Sequence, residues 1–430
     1  MTTSAPVPSR RVGYRVPLAN REFRALVAAQ EMSDIGDWIA RIALAATILA
    51  RTDSALLAAA TFAMTFLPVV VGSALLSSLA DRLPRRRVMM TCDLVRAVLI
   101  AALALLVSSG GQILAMLGLL FAAQLFTAPF RAAEQSVIPD VLTDSTVYLA
   151  GNGLVRVLTQ VNQVAGLAFG GLVLVAFSPT AALLLDSVSF LASLLIVGLG
   201  LRPRPAPLSG GSPGVAGYLR DLVSGARIIA ADPVRRQLVL LAWGAAFVLV
   251  APEAVALTYA RRLGLPVISG SLLMATVPAG FAIGVYLLGR VPPLRQVQLM
   301  IGLATTSGLL LVATPLVRSP WPVGLLWFGS GLCQAFIVPL ITTVTLASRP
   351  EQRGLVNGLA GAGFSLANTA AFFVVGALAD WTTPANAVGA GGLIGLVFVA
   401  LVRSRWQRRK IHRVARRIYH GPAPEGAEAG

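Results

Sequence analysis

Four ionisable residues crowd one otherwise apolar stretch near the N-terminus: Glu31, Asp34, Asp37 and Arg41. Asp34 and Asp37 are three apart and Arg41 is four beyond Asp37, which puts them on one helical stripe. Two chemistries fit that stripe. Arg41 neutralises an aspartate within the helix as a structural pair near a bend at Gly36, or the group faces a cavity and binds a proton or a polar ligand. A second set, Asn152, Arg156, Gln160 and Gln163, recurs at spacings of four, four and three and makes one continuous polar face. In an apolar surrounding such a face must meet protein or water. Arg156 lies about two turns from the start of its stretch, where it suits an inner gate as well as a cavity wall. Glu253 follows Pro252 in an apolar run with no cation beside it in sequence. Next to the helix break expected at that proline, it is the strongest candidate to carry a proton. Gln334 and Asn368 are weaker candidates to line the same cavity. Glu134, Asp140 and Asp186 read as structural groups near the ends of their stretches.

Other chemistries are excluded. The two histidines, His412 and His420, both lie in the basic C-terminal tail, so no histidine-based metal site is expected. Cys92 and Cys333 sit in apolar segments and offer neither a disulfide framework nor a metal cluster. No Gly-x-x-x-x-Gly-Lys-Ser/Thr loop occurs, which argues against ATP hydrolysis by this chain. No loop is rich enough to hold a catalytic cluster. Neither an enzyme nor a cofactor is expected. The net charge of +17, from 35 basic and 18 acidic residues, would suit nucleic acid, but the placement of the cations follows apolar stretches instead.

The elements that position these groups follow from composition. Of 430 residues, 56% are hydrophobic and 12% charged, against about a quarter charged in soluble domains. Apolar stretches fall at 25–50, 54–79, 88–108, 112–130, 150–176 and 180–200, then at 236–260, 267–289, 297–317, 321–347, 355–379 and 384–403. These lengths fit membrane helices of about 20 residues. Membrane β-strands would run to about 10 residues with strict alternation. The expected fold is an all-α polytopic membrane protein of about twelve transmembrane helices. Residues 1–17 are polar and lack the apolar core of a cleaved signal peptide.

Orientation follows from Arg and Lys. With the N-terminus inside, 28 basic residues fall on that side, Arg131 among them as a loop residue, and four fall outside: Arg51, Arg261, Arg262 and Arg318. Both termini are therefore expected in the cytoplasm, in the inner (cytoplasmic) cell membrane. The organisation reads as a cytoplasmic tail (1–24), a six-helix half (25–200), a cytoplasmic linker (201–235), a second six-helix half (236–403) and a basic, then disordered, tail (404–430). The linker begins Pro/Gly/Ser-rich and continues with Val215, Leu219, Leu222, Ala226 and Ile229 on one stripe, which predicts an interfacial helix.

The halves look like diverged repeats. Asn152-Gly153 recurs as Asn357-Gly358, and each Asn precedes a glycine, Gly171 or Gly376, by 19 residues. Pro129 and Pro339 both end short apolar runs, and Asp81 aligns with Gly289. Such halves can rock about a midplane site.

The segment Ser77-Ser-Leu-Ala-Asp81-Arg82-Leu-Pro84-Arg85-Arg86-Arg87 resembles the signature loop between helices two and three of the major facilitator superfamily. Ser77 and Pro84 stand where the family pattern has glycine. The Ala-Asp-Arg-x-Pro-Arg-Arg-Arg form, Ile138-Pro139-Asp140 leading to Ala150-Gly151-Asn152-Gly153, and Leu185-Asp186-Ser187-Val188-Ser189-Phe190 resemble the enterobactin-exporter-like efflux subgroup. Gly166, Gly170 and Gly171 resemble the antiporter motif, with Leu167 in place of its proline. The resemblance implies a gating loop of Asp81, Arg82, Arg85 and Arg86. In it, Asp81 faces the start of helix eleven near Gly354, where unsatisfied N–H groups and the helix dipole favour a carboxylate.

The expectation is a secondary transporter, functional as a monomer, that exports a small amphipathic organic molecule in exchange for protons. Glu253, Asp37, Asp34 and Glu31 are the proton-coupling candidates. Arg41, Arg156, Gln160, Gln163, Gln334 and Asn368 are the cavity candidates. Proton-coupled nutrient uptake, and a non-transporting membrane sensor or assembly partner, are the alternatives.

Overall fold

The structure is a computed structural model that describes residues 13–204 and 214–404; the remaining residues, and the side chains of 77–82 and 214, lie outside the described residues. The basic segment 403–417 beyond Ser404, the terminal tail and the Pro/Gly/Ser-rich start of the linker fall outside it, as do the side chains of Asp81 and Arg82.

No strand occurs among the described residues. Lipid supplies no hydrogen-bond partners, so a spanning backbone must satisfy its own N–H and C=O groups, as a helix does. Among the described residues, eleven segments are long and apolar enough to cross a membrane, from Ala55–Leu76 to Pro384–Ser404. Arg21–Thr52 is the twelfth long helix, set apart by its charges. We number them as spans one to twelve: Arg21–Thr52, Ala55–Leu76, Arg85–Ser108, Ile113–Val141, Ser145–Ala176, Pro179–Gly200, Pro233–Arg262, Val267–Leu288, Pro293–Leu316, Pro320–Leu346, Pro350–Trp381 and Pro384–Ser404.

Local chemistry sets the ends. Asn20 accepts from the N–H groups of Glu22 and Phe23, and Asp144, Ser178 and Asp232 cap spans five, six and seven in the same way. Proline opens spans six, seven, nine, ten and twelve, where its missing N–H costs nothing. The tight turn after span three needs a left-handed residue, supplied by Gly110 at φ 71°.

The pairing of spans repeats between the halves. Span one packs on five and six, and span seven on eleven and twelve; span three packs on six, and span nine on twelve. Spans two and four pair as eight and ten do. Span four breaks at Phe126 and span ten at Gln334–Phe336, each just before the prolines Pro129 and Pro339. The halves join along two seams, span five against eight and span two against eleven.

Four sequence expectations change. Span four continues through Thr127–Val141, so Arg131 belongs to a helix and not to a loop. Pro252 lies inside the continuous helix Pro233–Arg262, so no break adjoins Glu253. Asp186 is buried at 1% exposure in the body of span six, away from either end. The linker helix Gly214–Ala231 forms, but it packs on span eleven through Gly225 and buries Ile229, while Val215 and Leu219 stay exposed.

Candidate functional site

The helix-one stripe is the centre of a buried charge network. Asp37 is 6% exposed, and three side chains satisfy it. Arg96 of span three donates to Oδ2 at 2.7 Å, Arg41 pairs with the same oxygen at 3.3 Å, and Gln124 of span four donates to Oδ1 at 3.1 Å. Arg96, 2% exposed, lies over the Phe190 ring at 4.0 Å, and Arg41 over Trp38 at 4.8 Å. Aromatic faces help a desolvated guanidinium. Two further carboxylates adjoin. Asp93 accepts from Ser193 at 2.7 Å, and Asp186 accepts from Ser189 at 3.3 Å and feels both Asp37 and Arg96. Span one can approach Asp186 because Gly36 has no side chain: a Cβ there would strike the carboxylate and Ser189.

One turn toward the linker lies a second layer. Arg131 donates to Asp34 at 2.5 Å and pairs with Glu134 at 3.3 Å. Gln30, in the orientation that satisfies both amide atoms, donates to Glu134 at 2.7 Å and accepts from Arg131 at 2.6 Å. Glu31 is half-buried and interacts with Asp34 and Arg131. Six carboxylates thus share three guanidiniums inside the N-terminal half: Glu31, Asp34, Asp37, Asp93, Glu134 and Asp186 with Arg41, Arg96 and Arg131. Buried charges persist only when paired or neutralised.

Across the seam, Glu253 of span seven is half-buried in an apolar surrounding. The charge that acts on it is the Arg41 guanidinium, on the opposite half. Sequence neighbours gave Glu253 no cation; the fold supplies one. Arg41 pairs with Asp37 of its own helix and lies within electrostatic reach of Glu253 of the other half.

The remaining candidates are scattered. Arg156 is exposed, Gln160 donates to Gln163 at 3.3 Å, and Asn152 donates to the Tyr148 carbonyl at 3.2 Å. Gln334 is fully buried within the second half, against a small void shared with Leu241, Ser307 and Gly395, and not at the seam. Asn368 is fully buried in span eleven and donates to the Phe364 carbonyl at 2.7 Å. Arg85 donates to Asp140 at 2.5 Å and Arg86 to the Gly198 carbonyl, so both anchor the loop to its own half.

The ends of the seams differ. At the end away from the linker the halves are in contact. Phe372 of span eleven stacks on Phe62 and Phe66 of span two, with centroids 5.9 and 6.0 Å apart. Gly171 sits on Ile268 and Ser271 of span eight, and Gly376 on Leu56 and Ala59 of span two. These are the two glycines the repeat pairs. Asp380 of span eleven accepts hydrogen bonds from the first residues of span two. Toward the linker, a Cβ built on Gly354, Gly358 or Gly361 of span eleven meets nothing within 4 Å.

Sequence reasoning missed Asp93, Arg96, Gln124 and Asp380 as site residues. Asp93 and Arg96 carried a signal, a charged pair three apart inside an apolar stretch. Asp380 had a fainter one: Leu378-Ala379-Asp380 ends span eleven as Leu79-Ala80-Asp81 ends the second apolar stretch.

Known proteins share this architecture. The multidrug efflux pump Tap of Mycolicibacterium fortuitum is 26% identical over 379 residues, 85% of this chain and 90% of its own. The uncharacterized MFS-type transporter YkuC of Bacillus subtilis (strain 168) is 29% identical over 189 residues, so that this match spans 43% of YkuC and 44% of this chain. Among solved structures, the nucleoside transporter NupG superposes with a TM-score of 0.70 at 12% identity, over 90% of this chain and 99% of that one. A bacterial homolog of the lysosomal transporter Spinster, inward-facing and unoccupied, gives 0.65 at 16% identity over 95% and 98%. These structural likenesses carry the fold alone. The Major Facilitator Superfamily model matches residues 26–348, three quarters of the chain, and with two repeated six-helix halves the chain belongs to that family of multi-pass membrane transporters.

Proposed function

We propose that this transporter exports a small amphipathic organic molecule in exchange for protons, with Glu253 and the Asp37 network as the coupling site. The observation that carries the reading is the buried network in which Arg96, Arg41 and Gln124 hold Asp37, with the Arg41 guanidinium also within electrostatic reach of Glu253 on the other half. A proton added to either acid changes what Arg41 must neutralise, and so changes how strongly the halves hold together there. Coupling requires that proton and substrate favour different states or compete for one site. The candidate cavity-facing polar groups on spans one and five are few, which suits an amphipathic ligand better than a sugar. The likeness to Tap and the loop that resembles the enterobactin-exporter-like subgroup both favour export.

In this reading both termini and the linker are cytoplasmic, the chain acts as a monomer, and the end closed by Phe62, Phe372 and Asp380 faces outward. The structure then corresponds to a state open to the cytoplasm, and in the proposed cycle Asp81 meets the start of span eleven when the cytoplasmic end closes. Proteoliposomes with a pH gradient imposed in each direction, loaded with a panel of labelled lipophilic cations and neutral amphiphiles, test the reading. Gradient-driven flux toward the acidic side supports export by exchange. Flux of a nutrient with the protons identifies uptake instead, and no gradient-driven flux with any compound removes the proposal.

A further inference from the structure

The turn between spans one and two receives opposite charges from the other half at its two sides. At the end of span one, Arg261 of span seven donates to the carbonyl of Leu49, which also accepts from the Asp53 N–H, while lying 3.5 Å from Asp53. Span two begins with unsatisfied N–H groups, and Asp380 of span eleven accepts from them: from Ala55 N at 2.5 Å and Leu56 N at 3.2 Å, and from the Ser54 hydroxyl at 2.7 Å. A cation at a helix C-terminus and an anion at an N-terminus are the favourable pairing with the dipoles. Arg262 holds the end of span eleven from its own half, donating to the carbonyls of Ala379 at 3.1 Å and Thr382 at 3.0 Å. That fixes the backbone from which Asp380 reaches across.

Every one of the three bonds to Asp380 crosses between halves, so all three must break before the end away from the linker can open. The related seam shows no counterpart among the described residues. There Gly171 makes a close contact with Ile268 and Ser271, without a charge. We propose that Asp380 is the latch of the gate away from the linker, and that it works in alternation with Asp81. The two aspartates end the two helices of one antiparallel pair, spans two and eleven, at opposite ends. Asp380 caps the start of the helix that Asp81 ends, and in this proposal Asp81 does the same for span eleven in the opposite state, so that the rocking of the halves satisfies one while releasing the other. This rests on the alternating-access reading of the family, and not on which substrate moves or which way.

The test reads the opening itself and needs no substrate. Spin labels go on Ser109→Cys and Ser319→Cys, both exposed at that end, one on each half, with Cys92 and Cys333 replaced by serine. Pulsed electron resonance in lipid nanodiscs gives the distance distribution. Asp380→Ala should raise the ratio of long to short distances roughly fivefold, the shift expected for loss of a helix cap. Asp81→Asn should shift it the other way. Ala55→Pro provides an independent variant that keeps the carboxylate. Proline is tolerated at the first helical position, and Ser54 already has the extended backbone it requires. That change deletes the shortest bond to Asp380, and should open the gate by a smaller factor. Distributions for Asp380→Ala and Ala55→Pro that superimpose on the parent's would overturn the latch. Failure of proton-driven flux with the distance shifts intact would count against the proposed coupling and leave the latch standing.

Discussion

Arg41 and Glu253 belong to opposite halves of the molecule, yet Arg41 is the charge that acts on Glu253 while it pairs with Asp37 at 3.3 Å on its own helix. One guanidinium thus pairs with a carboxylate of its own helix and acts electrostatically on one of the other half.

Glu253→Gln should mimic the protonated acid. Energy-independent exchange of substrate should continue, and accumulation driven by a proton gradient should fall to background. Flux in inverted vesicles, with and without the gradient, measures both. Undiminished gradient-driven accumulation would remove Glu253 from the mechanism.

Arg96 should matter for folding more than for turnover. It is 2% exposed and donates to Asp37 at 2.7 Å. Taking one partner from a buried pair leaves an uncompensated charge, at a cost of about 3–5 kcal/mol. Arg96→Ala should express poorly and unfold at lower temperature in detergent, and pairing it with Asp37→Asn should recover part of the loss. A thermal profile for Arg96→Ala equal to the parent's would contradict the pairing.

Gly376 should tolerate no side chain while the far end is closed. A Cβ there lies 2.9 Å from both Ala59 Cβ and Leu56 Cα. Gly376→Val should leave a folded protein trapped away from the closed state, with transport reduced at least tenfold. The distance measurement between Ser109→Cys and Ser319→Cys should report the same opening. Normal flux in Gly376→Val would show that the seam is less tight than its geometry.

Topology is the simplest expectation to check. In a background lacking Cys92 and Cys333, Ser319→Cys should react with an impermeant thiol reagent in intact cells and Ser212→Cys only after lysis. Labelling of Ser212→Cys from outside would invert the orientation and, with it, the outward face.

The spans and their pairing in halves were legible because burial in lipid is written in local hydropathy, and because Gly171 and Gly376 mark equivalent close approaches. Long-range pairing is not written there. Arg131 looked like a loop cation since Thr127–Val141 carries both it and Glu134, and only contact with Asp34 on span one makes a helix of that polarity tolerable. Glu253 looked unpaired because its cation comes from the other half. Gln334 looked like a cavity group, but the face it occupies points into its own half, a distinction that residue type cannot make. Asp186 looked terminal because its stretch was read by its ends, while Gly36 on another helix is what admits it.

The bonds that hold Asp380 come largely from backbone, the N–H groups of Ala55 and Leu56, and backbone donors do not depend on which residue supplies them. The two sides of this contact therefore face unequal mutational pressure. Among relatives that keep it, the bonds from positions 55 and 56 need no particular side chain, proline excepted at both, whereas the acid at 380 and the hydroxyl at 54 act through their side chains. Paired change would then be confined to positions 54 and 380, and the two backbone bonds would stay invisible to any comparison of sequences that looks for it.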